Sequence, residues 1–284
     1  MKRIFIATAT LTALLFTTTL FAQNSTDSTT KKKKSMSLSI SNKGISFEET
    51  NDTTKSHKTE KTDKEKTGKL RLTFAMMDLG FNMLNDATTY TDPTLAGYLR
   101  VPAADRNADL FDLKNGKSIN FNIYPLMVKL PVIKTKNQRL YIATGLGLQV
   151  YNFRFDNSVS YVKSPAGLIM DTISFRKNKL AVNYLSVPLM VTSKTRLHKD
   201  TWLVYGAGVQ AGYRLSSWNK QTSDERGKIK THGNFDLKDF NTCVTAEFGI
   251  EGVLRFYGSY QLTSLYENNI DQRPISVGIR IGGI

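Results

Sequence analysis

Six charged side chains stand out by type and spacing: Asp78, Arg214, Glu247, Glu251, Arg255 and Arg280. Each sits in a segment of alternating residues, on the face opposite the large apolar side chains. In a low-dielectric enclosure such groups must pair, because an unpaired buried charge is costly. Two chemistries follow: a neutral ion-pair plug, or a path for protons or ions. The plug is the expectation if the enclosure is narrow. Other groups offer less. His57 lies in a polar N-terminal stretch, His198 in a turn and His232 in a loop, none on a strand beside an inward or rim serine as a nucleophile–base pair here would require. Asp86, Asp92, Asp105, Asp109 and Asp112 recur in one loop, without the spacing of an EF-hand. Cys243 is the one cysteine, which excludes an intramolecular disulfide, a CxxC motif and a zinc ribbon. It is expected to sit in the wall as a small apolar residue. These residues point to no catalytic, cofactor-binding or metal-ligating site, and to no cofactor.

The elements that must position the six charges read as strands. From Leu70 onward the pattern has period two, in eight segments: 70–83, 118–130, 139–153, 179–192, 201–215, 240–251, 253–265 and 274–284. In the third, Leu140, Ile142, Leu146, Leu148 and Val150 share one face, and Ala143, Gly145, Gly147 and Gln149 the other. In the eighth, Ile275, Val277, Ile279 and Ile281 oppose Ser276, Gly278, Arg280 and Gly282. Glycine facing water would cost entropy and pack nothing. Inside a narrow barrel it makes room, and the apolar face then meets lipid. Segments near ten residues with dyad alternation are the pattern of a transmembrane barrel, and closure satisfies every backbone group, as lipid demands. The links support this: long ones (84–117, 154–178, 216–239) alternate with short ones, as outer loops alternate with periplasmic turns. Tyr124, Tyr151, Tyr184, Trp202, Tyr213, Trp218, Tyr260 and Tyr266 fall near segment ends, where interface girdles are expected. Pro125 and Pro188 precede basic turns and are expected at the periplasmic rim.

The N-terminal part is different. Lys2 and Arg3 precede an uncharged apolar stretch ending at Ala22, which reads as a cleaved signal peptide, residues 1–22. Residues 23–68 are polar and expected to be a mostly disordered periplasmic tail, with one hairpin signal around Met36, Leu38, Ile40, Ile45 and Phe47. The formal net charge is +15, with 39 Lys+Arg against 24 Asp+Glu. Much of the excess sits in the tail and turns, which suits anionic lipid or cell-wall polymer nearby. No interleaved basic and aromatic stripe suggests nucleic acid.

Tyr184-Leu185-Ser186-Val187-Pro188-Leu189-Met190-Val191, the related Tyr124-Pro125-Leu126-Met127-Val128-Lys129 and the ending Pro274 to Gly282 resemble the outer-membrane β-barrel (porin-family) proteins of Bacteroidetes-type bacteria. The last residue, Ile284, departs from the terminal aromatic of many barrel proteins. The expected fold is an all-β, eight-stranded antiparallel up-and-down transmembrane barrel over 69–284. The expected role is non-enzymatic: structural, adhesive or envelope interaction through the long outer loops. Alternatives are a subunit of a secretion or envelope-assembly complex, and a lipid-modifying enzyme. The expected partners are outer-membrane lipid and lipopolysaccharide, the barrel-insertion machinery and a periplasmic or cell-wall partner of the tail. The expected state is a monomer in the outer membrane, with the tail and both barrel ends periplasmic.

Overall fold

The computed structural model describes residues 34–41, 44–51 and 70–282. The expected signal peptide and most of the tail lie outside the described residues. Residues 70–282 fall within one compact unit, which holds the barrel. Two strands, Lys34–Ser41 and Gly44–Asn51, fall where the hairpin signal was read.

The barrel strands are β1 (Arg71–Asp86), β2 (Ile119–Lys134), β3 (Gln138–Arg154), β4 (Lys177–His198), β5 (Thr201–Ser223), β6 (Phe240–Ile250), β7 (Leu254–Gln261) and β8 (Gln272–Ile281). Each pairs antiparallel with its chain neighbours, and β8 pairs with β1, so the sheet closes. The period-two pattern dictates the faces. Leu79, Phe81, Leu148, Leu189, Phe248 and Val277 are exposed on the outside, whereas Asp78, Asn82, Gln149, Glu247, Ser276 and Arg280 are buried inside. Gly147 shows why glycine occupies the inner face: a Cβ there would stand 2.5 Å from Cδ1 of Tyr124. The links also alternate. Turns 135–137, 199–200 and 251–253 are short, and 87–118, 155–176, 224–239 and 262–271 are longer.

Three expectations change. Pro125 and Pro188 are not at the rim. Pro125 lies mid-strand at a register shift between Ile123 and Leu126, and Pro188 lies mid-strand opposite Gln210. At Pro125 the bulge accommodates a residue with no N–H, and at Pro188 the pairing of β3 with β4 skips from Thr144–Leu189 to Gly147–Ser186. Tyr124, Tyr151, Tyr184 and Trp202 are not girdle residues, because their parity points them inward, where they are buried; Tyr266 is buried among the loops. Of the eight aromatics, Tyr213 is the one that is largely exposed on the outer face. Finally, β5 does not stop near 215. It runs to Ser223 and pairs with a strand at Gly227–His232, so much of the third outer loop is a hairpin extending the wall.

Candidate functional site

Two regions concentrate chemistry: the lumen near the short-turn end, and the mouth beneath the long loops. In the lumen, β8 and β1 place Arg280 beside Asp78, as direct register partners. The guanidinium donates Nε to Oδ1 at 2.7 Å and Nη2 to Oδ2 at 2.9 Å. Its Nη1 reaches Glu247 Oε2 at 3.2 Å, and Arg255 Nη1 donates to the same oxygen at 3.0 Å. Thr192 Oγ1 donates to Glu247 Oε1 at 2.9 Å, and Asn122 Nδ2 to Asp78 Oδ2 at 3.2 Å. Two carboxylates and two guanidiniums thus meet with matched charge. Charge-assisted, partly bidentate bonds of this kind are what offset the cost of taking ions out of water.

Strand parity and ring closure bring Asp78, Glu247, Arg255 and Arg280 together from four strands. The other two charged residues lie elsewhere. Glu251 follows the end of β6 in the 251–253 turn and pairs with Lys194 at 2.8 Å. Lys194 was missed because its stretch reads as a basic turn, although inside β4 it points inward and is buried. Arg214 lies toward the long-loop end, where its guanidinium donates to Asp239 at 2.6 Å, the Leu237 carbonyl at 2.9 Å, Ser217 Oγ at 3.0 Å and Asn234. It anchors the link into β6 instead of joining the cluster. Cys243 lies on the wall strand β6, and its side chain faces the lumen, 3.7 Å from the Tyr151 hydroxyl.

Above the cluster, polar and aromatic groups from opposite walls touch. Tyr124 OH donates to Gln210 Oε1 at 3.2 Å, Tyr257 OH to Asn120 Oδ1 at 2.6 Å and Asn241 Nδ2 to Gln149 Oε1 at 3.2 Å. These bonds span the lumen from β2 to β5, β7 to β2 and β6 to β3.

At the mouth the long loops form a core of their own. The link 87–118 contributes Leu95, Tyr98, Leu99, Leu110 and Phe111, and the link 155–176 contributes Phe155, Val159, Tyr161 and Leu168. Phe235, Leu237, Leu265, Tyr266 and Ile270 complete it, over Tyr151, Phe153, Leu180 and Tyr184 of the wall. A three-stranded sheet ties the first two links: Leu99–Arg100, Ala166–Met170 and Val159–Lys163. Tyr161 and Tyr266 share a hydroxyl–hydroxyl bond of 2.6 Å, and Tyr98 OH donates to the Phe235 carbonyl at 2.8 Å. Burial pushes both the Tyr161 and Tyr266 phenols well above the ordinary tyrosine range. The loop carboxylates act as clasps. Asp86 accepts from Tyr90 OH at 2.6 Å and Gln272 Nε2 at 2.8 Å, and Asp92 from Thr94 Oγ1 at 2.7 Å and Asn269 Nδ2 at 3.0 Å.

A family model described as "Outer membrane protein beta-barrel domain" matches residues 77–267, more than half of the chain. The chain belongs to this family of outer-membrane β-barrels. It is therefore an outer-membrane protein, and its apolar outer face is the lipid-facing one. Among solved structures, it is similar to Ail, the attachment invasion locus protein of Yersinia pestis, at 8% identity and a TM-score of 0.26, over 74% of this chain and 98% of that one. No curated protein matches the sequence significantly.

Proposed function

We propose that this protein is a non-enzymatic outer-membrane barrel with an adhesive or envelope-interaction role, carried by the folded cap of its long loops. The observation behind this reading is that the loops pack on a shared aromatic core over a lumen whose walls are cross-bonded. Such a mouth suits presentation of a rigid surface, since functional residues on loops need a fixed scaffold. The four-residue ion cluster serves as a structural plug holding β8 to β1. His198 is the exposed last residue of β4, and the His232 ring lies tilted beside Trp218, with centroids 5.7 Å apart.

In this reading residues 1–22 direct export, 23–68 form a periplasmic tail and the short turns face the periplasm. The test compares cells carrying full-length protein, a form with 87–118 replaced by a short turn, and a form lacking 23–68. Each is scored for cold-resistant, heat-shifted mobility in SDS gels and for cell attachment to a host-matrix-coated surface. Loss of attachment on loop replacement alone, with the mobility shift kept, supports the reading. Loss on tail deletion alone would move the role to a periplasmic assembly partner. Stable unit conductance in a planar bilayer would overturn the plug.

A further inference from the structure

The strand register builds a graded outer flank on one side of the barrel. Leu148, Leu185 and Tyr213 are exposed there and form an apolar row across β3, β4 and β5. The next rows toward the long loops are Val150–Asn183–Ser216 and Asn152–Ala181–Trp218–His232. The row after that is Arg154–Lys179–Lys220–Lys230, one basic residue on each of four neighbouring strands. One row further, Lys177 and Lys228 flank Thr222. Parity puts all of these on the outside, since the intervening Phe153, Leu180 and Asn219 are buried within.

Directly opposed side chains stand about 5 Å apart at Cβ, and like charges so placed repel. Among the described residues, Lys177, Lys179, Lys220, Lys228 and Lys230 have no carboxylate within ion-pair distance. Three nearby acids are engaged elsewhere: Asp156 with Lys114 at 2.9 Å, Asp224 with Arg176 at 3.3 Å and Asp171 with Arg226 at 2.7 Å. Lys179 Nζ donates to Asn152 at 2.6 Å, and Lys230 Nζ lies 4.3 Å above the Trp218 ring. A groove of about 340 Å³ opens beside the row, lined by Lys117, Ile119, Asn152, Arg154, Lys177 and Lys179 among others.

We propose that this ladder docks phosphate groups of the lipid headgroups in the leaflet surrounding the long-loop end. The occupant follows from position. The ladder lies on the flank, continuous with the apolar belt, where the neighbouring molecules are lipids. Val150 and Arg154 are four positions apart, roughly 13 Å along the strand, and Trp218 falls between belt and ladder, as an interfacial anchor does. Lysine and arginine at that depth meet headgroup phosphates, which supply the missing counter-charge. The inference rests on the family's membrane setting and is independent of the loop-attachment reading.

Native mass spectrometry of the detergent-solubilised full chain, titrated with diphosphorylated lipid A, provides the test. The wild type and a Lys163→Gln control should bind alike. The Lys179→Gln/Lys220→Gln/Lys230→Gln variant should bind at least about tenfold more weakly, each lost charge removing part of the attraction. Dephosphorylated lipid A should bind wild type as weakly as the phosphorylated lipid binds the variant. Equal binding by variant and wild type, or equal binding of the two lipids, overturns the proposal. Displacement by equimolar inorganic pyrophosphate also overturns it, by making a free phosphate the source. Heat-shifted gel mobility verifies that each protein is a folded barrel. If the triple variant is not, Lys220→Gln and a sodium chloride titration replace it, and salt-insensitive binding of wild type is the refuting result.

Discussion

Arg280 and Asp78 face each other across the seam where the last barrel strand closes on the first, joined by two bonds of 2.7 and 2.9 Å. Both side chains are almost wholly buried. The contact therefore joins the two ends of the barrel sequence at the one strand pair that no short turn or loop connects, and Glu247 and Arg255 extend it to β6 and β7.

Arg280→Met should destabilise the barrel by about 3–5 kcal/mol, because Asp78 is left without its partner. The urea midpoint of the detergent-folded protein measures this. Arg280→Met combined with Asp78→Leu should recover much of the loss. A double variant no better than the single one would show that the pair is not the source.

Gly147→Val should cost about 1–3 kcal/mol through overpacking against Tyr124. If ring contact is the cause, the loss in Gly147→Val/Tyr124→Ala should be smaller than the sum of the two single losses. The same urea titration separates the two.

Phe111→Ala removes a ring that packs edge-on to Phe155 at 6.2 Å and tilted to Tyr266 at 6.1 Å in the loop core. It should loosen the cap and leave the wall intact. Limited proteolysis should cut within 87–118 faster than in wild type, while the heat-shifted gel mobility persists. Tyr266→Phe should show a smaller effect, about 1 kcal/mol, from the lost hydroxyl bond to Tyr161.

Asp171 clasps the second long link to the β5 hairpin. Burial acts to raise its carboxyl pKa, but bonds from Arg226, the Ile173 N–H and Ser160 outweigh this and hold it below the usual carboxylate range. A lowered folded-state pKa contributes stability above the unfolded value, near 3.9, that is lost as pH falls through the folded one. Proteolysis of 155–176 by an acid protease should therefore rise below about pH 4, and Asp171→Asn should flatten the rise. A profile identical in the variant would exclude this carboxylate.

Local pattern alone carried the barrel a long way. Alternation with period two determines which side chains share a face, whatever the partners are, so the eight strands, the glycine-rich inner face and the alternation of long and short links were legible in the sequence. The convergence of Asp78, Glu247, Arg255 and Arg280 was legible too, because parity and ring order place four neighbouring strands side by side. What was not legible depends on height within the barrel and on packing between distant segments. Arg214 and Arg280 share an inward parity, yet they sit at opposite heights: Arg214 lies far up β5 from the short 199–200 turn, beside Asp239, whereas Arg280 lies next to the last residue of β8. Tyr151 and Tyr184 share the inner parity of their strands, but their edge-on contact at 6.0 Å depends on how β3 pairs with β4. The loop core was hidden for a similar reason: Leu99, Phe111, Tyr161, Phe235 and Tyr266 are far apart in the chain and follow no period. Only the closed barrel, by bringing four links to one rim, lets them bury one another.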